Sequence, residues 1–255
     1  MNNEKANYGW YHKKMTVYYL LIGSIGVLSL ILGFFTFNPL NFILMISGVL
    51  IIILFLWPGL GITFVNLIRD ASKSHPCTNL KAIITLENPK ILDIGCGTGK
   101  VAINMAKNLQ NGGHVYGIDI FGDAISNNAL STVESNADIE GVNNITTFKY
   151  GSATNIPFND NFFNVVNMAY VFHEISDKTK ALDEISRVLK PGGIFYLCEF
   201  YRRNIMTFLI NGIYFIMFKK KEYWMGLLRK KGFKKIIYIN QGTARIIAAS
   251  KMIGE

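Results

Sequence analysis

Residues 89–106 read PKILDIGCGTGKVAINMA: an apolar run, glycines at the alternate positions Gly95, Gly97 and Gly99, then a helical pattern. A strand that ends in such a loop, with a helix opening directly after it, presents unpaired backbone N–H groups and lets a ligand come close to the main chain. A phosphate-cradling loop would need G-x-x-x-x-G-K-[ST], but Val101 follows Lys100 and no glycine lies five residues before Gly99. The dinucleotide pattern G-x-G-x-x-G fails too, because its third glycine would fall on Lys100. What stands here is Asp93-x-Gly95-x-Gly97-x-Gly99. A carboxylate inside the strand end repels a pyrophosphate and suits a ligand carrying an ammonium group. A second acid, Asp119, closes the next apolar run, HVYGIDI, where a carboxylate can accept two hydrogen bonds from a ribose diol.

From Pro89 onward, strand-like runs alternate with helical patterns. The strands fall at Lys90–Ile94, Val115–Ile118, Thr146–Tyr150, Phe163–Met168, Ile194–Glu199, Lys235–Ile239 and Arg245–Ser250. Helices are expected over Lys100–Leu109, Ala124–Glu140, Lys178–Leu189 and Glu222–Lys231, with LKPGG at 189–193 a helix stop and turn. Such alternation implies an α/β fold with a mainly parallel sheet covered on both faces. Its ligands belong beyond the carboxyl ends of the strands, where strand order reverses.

The segments ILDIGCGTGK, VYGIDI, GSATNIPFNDNFFNVV, VFHEI and EISRVLKPGGIFYLCEF together resemble the successive motifs of class I S-adenosylmethionine-dependent methyltransferases, most of all the ubiquinone/menaquinone methyltransferase branch. The resemblance covers roughly residues 80–255 in the right order. It implies a Rossmann-like seven-stranded sheet, mainly parallel with the last strand antiparallel, and S-adenosylmethionine as cofactor. By the same resemblance, the Gly95–Gly99 loop lies along the methionine part and Asp93 near its amino group. Asp119 takes the ribose hydroxyls, Ile120 packs on the adenine face, and Ser152 with Ala153 sits at the adenine edge. Two positions depart from the pattern: Ser152 replaces a frequent acid, and Asn164 stands where the fourth strand usually begins with Asp. A serine oxygen accepts with less charge assistance.

Methyl transfer from a sulfonium is an in-line displacement, so the protein aligns the reactants, removes water and takes a proton where the acceptor has one. Tyr170, His173, Glu174, Glu199 and Tyr201 follow the fourth and fifth strands and face that space. His173 is the candidate base by its ordinary pKa, with Glu174 second.

Ahead of the domain, Val17–Phe37 and Leu40–Trp57 are two uncharged apolar runs. Each approaches the roughly 20 residues that cross about 30 Å of hydrocarbon as a helix. They read as a transmembrane hairpin over 15–57, after a cytoplasmic tail at 1–14. An interfacial helix and linker follow at 58–85, and the methyltransferase domain fills 86–255. The first run is longer than a signal peptide's apolar region and no Ala-x-Ala site follows it. Lys5, Lys13 and Lys14 precede the first run, and Arg69, Lys73 and Lys81 follow the second. That distribution puts both ends, and the domain, in the cytoplasm of a multi-pass membrane protein.

The formal charge of +9 is uneven: residues 195–255 hold twelve Lys or Arg against three acids. A basic face beside membrane spans suits anionic lipid headgroups. Nucleic acid or protein is the competing partner, but NMAY at 167–170 occupies the place of the Asn/Asp-Pro-Pro-aromatic motif of amino-methylating DNA enzymes. Cys77, Cys96 and Cys198 form neither a paired framework nor a Cys-x-x-Cys clip, so reduced thiols are expected. His12, His75, His114 and His173 are scattered without ligand spacing, so no metal is expected. An apolar insertion at 204–221 contains Ile205–Phe218, too short to span and suited to lie in the interface as a lid; an ordinary core helix is the alternative. These readings converge on a membrane-anchored methyltransferase with a lipophilic acceptor, against a non-catalytic cofactor-binding membrane protein.

Overall fold

The computed structural model describes residues 5–9, 13–71, 86–121, 130–199, 201, 205–241 and 244–252. Beyond the N-terminal helices the chain forms a seven-stranded sheet of order β3-β2-β1-β4-β5-β7-β6. The strands are β1 Lys90–Ile94, β2 His114–Asp119, β3 Thr146–Tyr150, β4 Phe163–Ala169, β5 Leu189–Cys198, β6 Lys234–Gln241 and β7 Ala244–Ser250. Pairings among β1 to β5 are parallel, and β7 runs antiparallel to both β5 and β6, so only the last strand is reversed.

The sheet is apolar on both faces because successive side chains point to opposite sides. On one face Leu92, Val166, Phe195 and Leu197 pack with Leu182 and Ile185 of a helix at Lys178–Val188 and with Trp224 and Leu228 of another at Lys221–Lys230. On the other, Ile91, Val115, Val165 and Tyr196 meet Ile103 and Met105 of the Lys100–Lys107 helix and Val133 and Ala137 of the Leu130–Ile139 helix. In chain order the helices are α1 Lys13–Gly33, α2 Leu40–Ile51, α3 Trp57–Ala71, α4 Lys100–Lys107, α5 Leu130–Ile139, α6 Lys178–Val188, α7 Ile205–Asn211 and α8 Lys221–Lys230.

Some expectations are adjusted and others fall outside the described residues. The helix expected over Ala124–Glu140 is described only from Leu130, since 122–129 lie outside the described residues. LKPGG is not simply a turn: Leu189 is already extended and pairs with Phe163, and a register shift before the Val165–Ile194 pair absorbs Pro191–Gly193. The second apolar run does not end at Trp57. A π-helical turn at Ile52–Leu56 leads directly into α3, so helix continues from Leu40 to Ala71 through Pro58. Proline lacks an N–H and crowds the carbonyl four residues earlier, and a widened turn accommodates both defects. The expected linker at 72–85 lies outside the described residues. Cys96 is a buried free thiol and Cys77 lies outside the described residues; Cys198 carries a disulfide, against the expectation of reduced thiols.

The N-terminal helices pack in an unusual sense. α1 buries Gly23, Gly26 and Gly33 and turns Leu21, Ile25, Leu28 and Leu32 outward. A Cβ at Gly26 would lie 3.0 Å from the Gly48 carbonyl oxygen, and one at Gly48 only 2.7 Å from that of Gly26. Ser29 Oγ donates to the Leu44 carbonyl at 2.9 Å and lies 3.3 Å from Ser47 Oγ. Small residues inside and large apolar ones outside are the reverse of a water-facing hairpin and are the pattern of helices packed in lipid.

Close approach at Gly26 and Gly48 should therefore govern this pairing. A Ser29→Cys/Ser47→Cys protein should cross-link readily on mild oxidation. Adding Gly26→Leu and Gly48→Leu should abolish the cross-link, read as loss of the reducible, faster-migrating band on gels. Equal cross-linking in both backgrounds would show that the glycines do not set the helix separation.

Candidate active site

Strand order reverses between β1 and β4, and the predicted cofactor residues converge at the carboxyl ends there. The glycine loop leaves β1 with Gly95, Gly97 and Gly99 all at positive φ (73°, 53° and 86°). Side chains are doubly unwelcome at its ends: a Cβ at Gly95 would lie 2.4 Å from Val171 Cγ2, and one at Gly99 2.6 Å from Val133 Cγ2. The loop is tied to β2 by main chain and side chain together. Gly95 and Cys96 N–H donate to the Ile118 carbonyl, and Gly97 N–H donates to Asp119 Oδ2 at 2.9 Å. Asp119 Oδ1 accepts from Phe121 N–H at 2.9 Å. Each carboxylate oxygen keeps a second lone-pair direction, so Asp119 orders the loop and can still accept from a diol.

Asp93 is 2% exposed, on β1 opposite Asn167 of β4. Asn167 Nδ2 donates to Asp93 Oδ1 at 2.7 Å, while Asp93 Oδ2 and Asn167 Oδ1 have no hydrogen-bond partner. Burial pushes the Asp93 carboxyl up to about 7; the Asn167 bond opposes the rise and the Asp119 charge adds to it. A buried, half-satisfied carboxylate beside a backbone cradle fits a ligand with a positive centre. S-adenosylmethionine, with its sulfonium and amino groups, meets that requirement. Asp93 would hold the cationic end, the glycine loop the methionine chain and Asp119 the ribose.

The adenine residues are placed unevenly. Ile120 is 68% exposed beside Asp119, open for a flat ring to cover. Gly151 N–H donates to the Asp119 carbonyl, bringing Ser152 and Ala153 alongside. Ser152 Oγ already accepts from Thr154 N–H at 3.2 Å and contacts Thr154 Oγ1 at 3.0 Å, so it caps its own turn; Ala153 is turned into the core. Asn164 lies at the opposite end of the sheet, where its Oδ1 accepts from Lys90 N–H and Lys190 Nζ, both at 3.0 Å. Its departure from the family pattern is therefore a matter of strand starts and does not touch the cofactor end.

On the β4–β5 side, His173 Nδ1 lies 2.9 Å from Glu199 Oε2, and His173 N–H donates to Glu199 Oε1 at 3.1 Å. Glu199 is buried, and a carboxylate only accepts, so Nδ1 carries the proton and a neutral ring keeps its lone pair on Nε2. Nε2 lies 3.7 Å from Glu174 Oε1. Burial lowers the imidazole pKa, but the Glu199 bond and the charges of Glu199 and Glu174 outweigh it and the net shift is upward. Tyr170 is held at φ 59° with its N–H on the Cys198 carbonyl, and burial pushes its phenol up to about 12. Among the described residues no three His, Cys, Asp or Glu side chains gather as a metal cluster. Sequence reasoning missed Asn167 and the anchoring role of Glu199. Only the strand register, which sets Asn167 opposite Asp93, could have exposed the first.

Comparison with known proteins agrees with this geometry. A family described as "Methyltransferase domain" matches residues 86–241. The demethylmenaquinone methyltransferase of Lactiplantibacillus plantarum is 37% identical over 128 residues, 50% of this chain and 52% of that protein. The 2-phytyl-1,4-naphtoquinone methyltransferase of Trichormus variabilis is 31% identical over 117 residues, 46% of this chain and 49% of that protein. The chain thus spans about half the length of these curated relatives. A SAM-dependent methyltransferase from Aquifex aeolicus shares the fold with a TM-score of 0.59 at 21% identity, over 70% of this chain and 90% of that one.

The orphaned Asp93 oxygen has a pH signature. Its folded pKa of about 7 exceeds the ordinary 3.8, so its contribution to stability is complete below about pH 4 and is lost as pH rises through 7. The cofactor-free melting temperature should therefore fall between pH 5 and 8, and Asp93→Asn should remove that part of the fall. S-adenosylmethionine should raise the wild-type melting temperature more at pH 8 than at pH 6. Parallel wild-type and variant curves would contradict a titrating Asp93.

Proposed function

This chain belongs to the methyltransferase-domain family, and from that premise we propose that it is a membrane-anchored enzyme that methylates a lipophilic acceptor of the prenylated-quinol type. S-adenosylmethionine is the methyl donor, supplying an electrophilic methyl on a sulfonium. The names of the relatives above, a demethylmenaquinone methyltransferase and a 2-phytyl-1,4-naphtoquinone methyltransferase, support the acceptor class.

The observation that carries the reading is where the apolar insertion goes. It leaves the carboxyl end of β5, the edge on which Asp93, Asp119 and His173 lie, as α7 and a 3-10 turn at Gly212–Met217. It packs against the hairpin helix α3 and not under the sheet. Trp57 Nε1 donates to the Leu209 carbonyl at 2.7 Å, and the Trp57 and Phe208 rings meet edge to face at 5.1 Å. Tyr19 of α1 stacks on Tyr214 at 6.0 Å. Leu209 and Ile216 stay exposed, and Lys219, Lys220 and Lys221 follow at once. Apolar side chains below a lysine row suit an interface in which hydrocarbon meets headgroups. The lysines flanking the helices support a cytoplasmic domain, and the inverted packing of α1 on α2 supports a lipid environment for the hairpin. An acceptor dissolved in the bilayer then reaches the site along α3 and α7 without crossing water.

At the site, the chain's own part is alignment and proton removal. His173 Nε2, fixed in the basic tautomer by Glu199, takes a hydroxyl proton from the acceptor ring. The electron pair so released raises the nucleophilicity of the ring carbon that meets the methyl group. The pair of the broken methyl–sulfur bond would stay with the sulfur. The methylated carbon then loses its own hydrogen as a proton and the ring oxygen takes one back, so one proton leaves per turnover. The buried carboxylate then stabilises the imidazolium left behind. Glu174, at the mouth, is placed to pass that proton to solvent.

His173→Gln should lower turnover about a hundredfold, the low end of general-base effects, with cofactor affinity retained. Because the His173 pKa is raised and the neutral ring is the base, turnover should climb as pH passes a value above 6.5. Glu199→Gln should move that limb to lower pH. A pH-independent rate, or full activity in His173→Gln, would remove the base from the mechanism.

The entry route is tested separately. Trp57→Ala should raise KM severalfold for an acceptor with a long isoprenoid tail, in detergent or lipid, and leave KM for a tail-less ring analogue unchanged. Equal effects on both acceptors would refute entry between α3 and α7.

A further inference from the structure

The residues ahead of the first hairpin helix reach into the cofactor site. Residues 5–9 run across α5 and the glycine loop, and Asn136 is the meeting point. Asn136 is only 2% exposed, on a helix face otherwise buried through Val133 and Ala137. Its carboxamide grips the main chain of Asn7 as a neighbouring strand would: Oδ1 accepts from Asn7 N–H at 2.7 Å and Nδ2 donates to the Asn7 carbonyl at 3.0 Å. The second Nδ2 hydrogen goes to the carbonyl of Thr98, inside the glycine loop, at 2.8 Å. Thr98 Oγ1 in turn donates to the Tyr8 carbonyl at 3.0 Å. Loop, helix and N-terminal segment thus close one polar circuit in which both Asn136 donors are used.

The Tyr8 side chain holds this segment down. Its ring packs on the core beside α4 and α5, its hydroxyl donates to Glu140 Oε1 at 3.1 Å, and Glu140 is itself paired with Lys107. Lys100 Nζ stands 5.9 Å above the ring. Four residue steps separate Gly9 from Lys13, where α1 begins, a reach of about 14 Å at most. The segment that latches the cofactor loop is therefore the same one that leads into the hairpin.

We propose that Asn136 is a positioning residue for the cofactor loop, that it holds Thr98 together with the docked Asn7–Tyr8 segment, and that cofactor affinity thereby depends on how that segment is seated ahead of α1. The glycines give the loop close approach and also many alternative conformations. Asp119 fixes Gly97, and Asn136 with Tyr8 fixes Thr98 from the other side. The proposal rests on the cofactor alone and is independent of the acceptor.

The test uses the full-length protein in detergent micelles, with two variants and their combination. Tyr8→Ala removes the latch and leaves Asn136 and the loop intact. Asn136→Asp keeps shape and acceptor but loses both donations, to the Thr98 carbonyl and to the Asn7 carbonyl. Each should weaken S-adenosylmethionine binding roughly five- to tenfold by calorimetry, the scale of one or two lost hydrogen bonds, and the double variant should be no weaker than either single one. In the cofactor-free protein, amide exchange at Cys96–Gly99 should quicken in both variants. Additive losses, or Tyr8→Ala with unchanged affinity and loop exchange, would overturn the proposal. Should Asn136→Asp fail to fold, Tyr8→Ala decides alone by the same two readouts.

Discussion

The hydrogen bond from Gly97 N–H to the Asp119 carboxylate is the constraint around which this molecule is arranged. A loop of alternating glycines at positive φ has no internal reason to hold one shape. Asp119 gives it one by borrowing rigidity from β2, itself locked between β1 and β3. Val171 and Val133 press on the loop so closely that Gly95 and Gly99 admit no side chain. Val171 also begins the turn that carries His173, so the cofactor cradle and the candidate base are packed against each other. A change of loop shape would be felt at the base through one valine.

The hairpin completes the site from two sides. Ahead of α1, the Asn7–Tyr8 segment seals the glycine loop; beyond the π turn, α3 receives the insertion that leaves β5. Both ends of the helical pair therefore hold the carboxyl edge of the sheet, and neither holds the opposite edge. An anchor serving only to retain the domain at a surface would not need contacts at the cofactor loop and the acceptor mouth. The arrangement makes sense where the reaction takes place at the surface itself. Continuity of helix through Pro58 matters here, because a break there would uncouple Trp57 from the turn that packs on Tyr19.

Much of this was legible in the sequence because it is carried by local signals. Lys90–Ile94 and Thr146–Tyr150 match the observed strands because their signals act over a few residues, a short buried run in the first and alternation of burial in the second. The glycine spacing with Asp93 and Asp119 pointed to one end of the sheet for a similar reason, as each acid lies near the end of its own strand. What escaped lies at long separation. Asn167 becomes a partner of Asp93 only through the β1–β4 register, across 74 residues, and Asn136 meets Asn7 across 129. No periodicity announces either pair. At Pro58 the helix continues because a π turn among apolar residues precedes the proline. Asn164 and Ser152 looked alike as departures from a motif, yet one braces strand starts and the other caps a turn beside the adenine edge.

Electrostatics narrows what the site can accept. Asp93, Asp119, Glu174 and Glu199 all lie along one edge of the sheet, with His173 among them. A cationic cofactor relieves that accumulation, and Asp93 has an unfilled oxygen to receive it. A phosphate-bearing acceptor would instead have to approach carboxylates in a partly desolvated cleft, where like charges are screened least. A cation also stands at this edge, Lys178, whose Nζ donates to the His173 and Ile175 carbonyls, and a row of three, Lys219, Lys220 and Lys221, follows the insertion. Under the proposed function, the edge that gathers the acids suits an uncharged acceptor. The acidic proton of the acceptor would, under that same function, meet in His173 backed by Glu199 a base whose affinity for protons is raised by the same carboxylates that repel anions.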